Sequence, residues 1–160
     1  MNTLKKYKYN GARSLVLLHE KHLASCLSVW REAKKAGLIL PETEDKDYES
    51  LDTLLRHILR SARNYMIWIC SKLNLPDPEI KKEPEPELIE TKADEYVPHL
   101  IDRWRLPLSD IPEEKFHSPV YTSNWGVEYC IDAMLEHAVM HPIRHEFQLK
   151  NLMEIQNKST

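Results

Sequence analysis

At 160 residues the chain has the length of one domain and can bury a real core. A 42% hydrophobic content with only three glycines disfavours sheet-rich, turn-dense folds. The net charge of −3 gives no basic field for nucleic acid, and no apolar run nears the roughly 20 residues that span a bilayer.

A first helix is predicted from about Ser14 to Ala36. Val16, His19, Leu23, Leu27 and Trp30 share its apolar stripe, and Gly37 suits its end. Pro41 to Asp47 reads as an acidic polar loop. Ser50 is a good N-cap for a second helix, whose stripe (Leu51, Leu54, Leu55, Ile58, Ala62, Tyr65, Met66, Ile69) is the cleanest in the chain. It should end near Leu75, because Pro76 and Pro78 cannot continue it. Asn74 to Glu90, rich in proline and acid, reads as an exposed, partly extended crossover.

A third helix is expected over Thr91 to Trp104, weakened by Pro98. Leu106 to Thr122, with three prolines, forms a second long connection. A fourth helix should start near Ser123 and run to about Gln156. Val127, Cys130, Met134, His141, His145 and Leu152 lie along its core line, with His137 and Leu149 at the edges. Four amphipathic helices with two long connections predict an all-α four-helix bundle, one domain over residues 1–160. Cys26, Cys70 and Cys130 are far apart in apolar stretches, as reduced core cysteines of a cytoplasmic protein would be.

The fourth helix carries the chemistry. His137, His141 and His145 stand at i, i+4 and i+8, within a stripe roughly 80° wide at about 100° per residue. Imidazole in a core position is costly unless its nitrogens are satisfied, and a metal ion would satisfy them. The first and last of the three are about 12 Å apart along the axis, too far to share one ion. A mononuclear site would therefore use one adjacent pair, His137 with His141 or His141 with His145. His57 is the natural third ligand: it shares a flank of the second helix with Ser61, Asn64 and Trp68, at the bundle edge, where a site can stay open. Pro142 should kink the helix or split it in two, which bears on which pair faces the ion.

Other readings are weaker. His19 suits a hydrogen-bonded core histidine better than a chelate with His22, and His99 and His117 read as structural or solvated. A di-iron carboxylate site needs Glu-x-x-His on two helices. The single match, Glu114 to His117, falls in the second connection, and His-Glu-x-x-His is absent. Glu128 and Glu146 are near the histidines in sequence without a signal that makes either a base.

Two stretches resemble the DinB/YfiT-like family of metal-dependent enzymes. Leu54-Leu55-Arg56-His57-Ile58-Leu59, followed by Tyr65 and Trp68, is similar to that family's second helix. Glu136 to Leu149, containing His141-Pro142-Ile143-Arg144-His145-Glu146-Phe147-Gln148, is similar to its closing His-x-x-x-His-x-x-Gln helix. The resemblance implies a four-helix bundle and a mononuclear ion, commonly nickel or zinc, held by His57, His141 and His145, with His137 as neighbour or alternative ligand. It also implies a homodimer. Where the family often has Arg-Gly-Gln after the last histidine, this chain has Glu146-Phe147-Gln148, which weakens transfer of any particular activity.

The expected function is therefore a metal-dependent enzyme acting on a small molecule. A divalent ion with an open position can activate water for hydrolysis or hold a thiolate for transfer, the substrate then involving a low-molecular-weight thiol. The alternative is a non-catalytic helical binding or stress-response protein with a structural or vestigial metal site. Neither reading involves nucleic acid or a membrane.

Overall fold

Four long helices carry the fold of the computed structural model, which describes residues 3–160. They are α1 (Asn10–Lys35), α2 (Leu51–Lys72), α3 (Pro86–Trp104) and α5 (Ile131–Lys158). A one-turn helix α4 (Glu114–His117) and an antiparallel pair of two-residue strands, β1 (Tyr121–Thr122) and β2 (Glu128–Tyr129), occupy the last connection. The protein is thus mostly helical. No helix among the described residues is long and apolar enough to cross a membrane.

Local chemistry explains most of the boundaries. Gly37 ends α1 with φ of +63°, where a side chain would be strained, while its N–H bonds the Lys34 carbonyl and that of Leu38 bonds Ala33. Ser50 and Thr53 form a reciprocal capping box at the start of α2. Three helices begin elsewhere than expected, the first of them α1, at Asn10 and not Ser14. α3 starts at Pro86, not Thr91, because proline at the first helical position has φ already set and lacks only an N–H that would be unpaired there. α5 starts at Ile131, not Ser123, capped by the Cys130 sulfur accepting from Ala133 N–H. Residues Ser123 to Val127 instead turn the hairpin, so Val127 is exposed and lies off the core face.

Neither interior proline splits its helix. α3 is continuous through Pro98 and α5 through Pro142. Pro142 is buried on α5, so the lost hydrogen bond is offset by packing and the four-residue spacing of His141 and His145 survives.

α5 packs along α1 and against α2, and α2 also packs on α3, so the four long helices share one core. Every residue in the expected α2 stripe is buried. Two tryptophans tie helices together: Trp30 Nε1–H donates to the Leu51 carbonyl, and Trp104 Nε1–H donates to Ala62 at 2.9 Å. The acidic crossover is pinned, with Ile80 and Glu83 buried. Arg63 donates to the Ile80 carbonyl at 3.0 Å, and Lys81 N–H donates to His99 Nε2. The three cysteines are unbridged.

His19 is a core residue, as read, but it has no hydrogen bond. Its ring stacks on Trp104 with centroids 3.7 Å apart and 7° between planes, and its buried Nε2 lacks a partner. Burial, then the charge of His22, push its pKa down from 6.5 to about 3. A cation–π contact with Trp104 is worth about 2 kcal/mol, less than the roughly 5 kcal/mol of that shift, so burial wins. The unfolded chain binds a proton below pH 6.5, whereas native His19 does so only near 3. His19 thus leaves stability intact above pH 6.5 and lowers it as pH falls, by about 1.4 kcal/mol per unit. His19→Phe, which keeps the stack and removes the titration, should lose about 2 kcal/mol less than wild type between pH 7 and pH 5. Urea unfolding at the two pH values checks this, and an unchanged pH slope would refute it.

Candidate metal centre

His57, His141 and His145 converge between α2 and α5. One ring nitrogen from each lies within 4.8 Å of the others, close enough to hold a single metal ion. His57 Nε2 and His141 Nε2 are 3.1 Å apart, and the rings of His141 and His145 stand 4.6 Å apart, edge to face. His141 and His145 are buried and His57 is half-buried, at the edge of the helix pair where the sequence put it. His137 is not in the cluster, and His117 lies apart from it, paired with Glu113 at 3.4 Å.

The hydrogen bonds around the cluster decide which nitrogens are available. A carboxylate only accepts, so the 3.0 Å contact of His57 Nδ1 with Asp47 Oδ2 requires the proton on Nδ1 and leaves a lone pair on Nε2. His145 Nδ1–H likewise donates to Gln148 Oε1 at 3.2 Å, freeing its Nε2. Burial first, then the neighbouring His145 and His57, push His141 down to about 2, and burial first pushes His145 down to about 4. Both are neutral at pH 7, as ligation requires. The donor set fits a metal ion, with outer partners of the kind that orient ligating histidines.

Asp47 was not expected. It sits on the 3-10 turn Lys46–Tyr48, capped by Asp45, and also accepts from Arg60 at 2.6 Å. Burial raises its carboxyl, but the hydrogen bond and charge of Arg60, with His57, outweigh that and hold it below its ordinary value. Tyr48, on the same turn, sets its ring 5.8 Å from His57 and 5.9 Å from His145, and so covers the cluster on that side.

On the other side a cavity of about 440 Å³ opens beside the histidines. His57, Ser61, Asn64 and Trp68 of α2 line it, so the flank read from sequence becomes its wall, and His137 and His141 of α5 face them. His137 is held one turn from His141 by three rings: Trp125 stacked at 5.3 Å, and Tyr65 and Tyr129 each 5.5 Å away, edge-on. Trp125 and Asn124 line the cavity from the hairpin turn, not from the helix that the sequence predicts there. Neither carboxylate considered as a base lines the cavity: Glu128 is exposed on β2, and Glu146 bonds Lys150 at 2.6 Å.

Comparison with protein-family models, curated proteins and solved structures found no match.

Proposed function

We propose that this chain is a DinB/YfiT-like four-helix bundle and a metal-dependent enzyme acting on a small molecule, by hydrolysis or by thiol-dependent transfer. One observation carries the reading: three histidines from two helices bring one nitrogen each within 4.8 Å of the others, and two of them, His57 and His141, line a cavity of small-molecule size. A structural ion would be closed off by a fourth protein ligand, whereas three ligands beside a cavity leave room for substrate. Zinc or nickel suits three imidazoles. Once bound, the ion would supply Lewis acidity to polarise water or hold a thiolate.

The chain's own residues do the rest. Asp47 and Gln148 fix the tautomers of His57 and His145, and Tyr48 shields one side. Tyr65 lines the cavity with a phenol that stays protonated at neutral pH, and burial pushes its pKa further up, to about 12.

Protein purified without a histidine tag and reconstituted with zinc or nickel should hold one ion per chain by elemental analysis. It should also turn over members of a thiol and ester panel, with activity lost on chelation. Absence of bound metal after reconstitution would sink the proposal, and bound metal without turnover would favour a non-catalytic binding protein.

A further inference from the structure

The cavity beside the histidines has a chemical bias of its own. Tyr65, Trp68 and Trp125 give it aromatic walls, while Ser61, Asn64 and Asn124 give neutral hydrogen-bonding groups. Among the described residues no aspartate, glutamate, lysine or arginine lines it. A charged group held against these walls, away from the metal, would lose its hydration without meeting a counter-charge among the lining side chains. A neutral polar group would find amide and hydroxyl partners.

Trp125 adds direction. It lines the cavity and is still 49% exposed, so much of the indole is left uncovered. The turn beneath it is firmly built: Ser123 N–H donates to the Val127 carbonyl at 2.8 Å and Val127 N–H to the Ser123 hydroxyl at 3.1 Å, while Gly126 takes φ of +84°. The indole is held on its inner side by His137 and Tyr129, with centroids at 5.3 and 5.6 Å. Its uncovered surface would gain from contact with a planar ring, since aromatic pairs contribute beyond simple area burial.

We infer that the cavity selects a molecule with an uncharged planar ring as its body, whose metal-seeking atom points towards the histidines, and that Trp125 determines this selectivity. The inference rests on the metal-centre reading above and names the substrate class of the same site. Arg144 provides the counter-case. It is exposed and does not line the cavity, although its positive charge reaches Tyr65, His137 and His141 in the wall, so what charge the site has is positive and comes from outside the lining.

The test uses cobalt(II)-loaded protein, in which a thiolate entering the metal shell is read by charge-transfer absorption. Three thiols of similar acidity serve as probes: benzyl mercaptan, 2-mercaptoethanol and the anionic 2-mercaptoethanesulfonate. Benzyl mercaptan should bind at least about tenfold more tightly than 2-mercaptoethanol, the gain expected from burying one ring face. Trp125→Ala should bring the two within about twofold, and Trp125→Phe should restore most of the preference. Equal binding, preference for the sulfonate, or a preference that survives Trp125→Ala would overturn the inference. Failure to take up cobalt overturns the metal reading and this one with it, whereas cobalt uptake without ring preference, whether the thiols bind alike or not at all, overturns only this one.

Discussion

His57→Ala and His141→Ala are each expected to abolish stoichiometric zinc binding, while His117→Ala leaves it intact. With one ring gone, only two imidazoles remain to hold the ion against water, because no further histidine, cysteine or carboxylate among the described residues joins the cluster. His145→Ala should behave as His141→Ala does. His137→Ala should keep one ion per chain, since that ring is engaged by Trp125, Tyr65 and Tyr129 and stands outside the cluster. Asp47→Asn should fall between these limits, weakening zinc by about 10- to 100-fold, as removal of an outer-shell partner does. The ligand survives there, but its proton is no longer held by a carboxylate. Calorimetric titration of metal-free protein gives the stoichiometry and affinity for the whole series. Equal binding by the His57, His141 and His117 variants would refute the ligand assignment.

The residues that could be read from sequence share one property: their role shows in local periodicity. α2 has an unbroken apolar stripe between a capping serine and two prolines, and both its extent and its buried face follow from that. The three histidines of α5 stand out because they occupy core positions at helical spacing, and His57 because it sits beside a stripe rather than in it. Spacing alone does not separate His141 and His145 from His137 as ligands. That distinction comes from the family resemblance, and the ring contacts around His137 supply the physical reason that spacing lacks.

The residues that were missed act through contacts without a local pattern. Asp47 lies in an acidic loop like any other, and its role appears only when that loop folds back on α2 ten residues later. Trp125 sits in Ser-Asn-Trp-Gly, a turn signal hidden by the apparent continuation of a helical stripe through Val127 and Cys130. Strands of two residues are too short to show alternation, so the hairpin had only its glycine to announce it. His19 could be placed in the core from its stripe, but Trp104 as its covering partner comes from another helix 85 residues on.

That last pair is where the core is most sensitive. Trp104→Ala is expected to cost about 4 kcal/mol, within the range for deleting a large buried aromatic and a sizeable part of a typical domain's 5–15 kcal/mol. Trp104 is fully buried, bonds α2 through the Ala62 carbonyl and covers His19 on α1, so its loss opens a cavity where three helices meet. Trp104→Phe should cost only about 1–2 kcal/mol, because most of the bulk stays and one modest hydrogen bond goes. Acid behaviour separates this account from a general loosening of the core. Removing the indole admits water to His19, whose unpartnered Nε2 can then accept a proton in the native state. Its pKa should climb from about 3 back towards 6.5. The alanine variant should therefore start less stable at pH 7 yet lose less on acidification to pH 5 than wild type does, by up to about 2 kcal/mol. Urea unfolding of wild type and both variants at the two pH values measures each quantity, and parallel pH dependence in all three would show that Trp104 does not control the His19 environment.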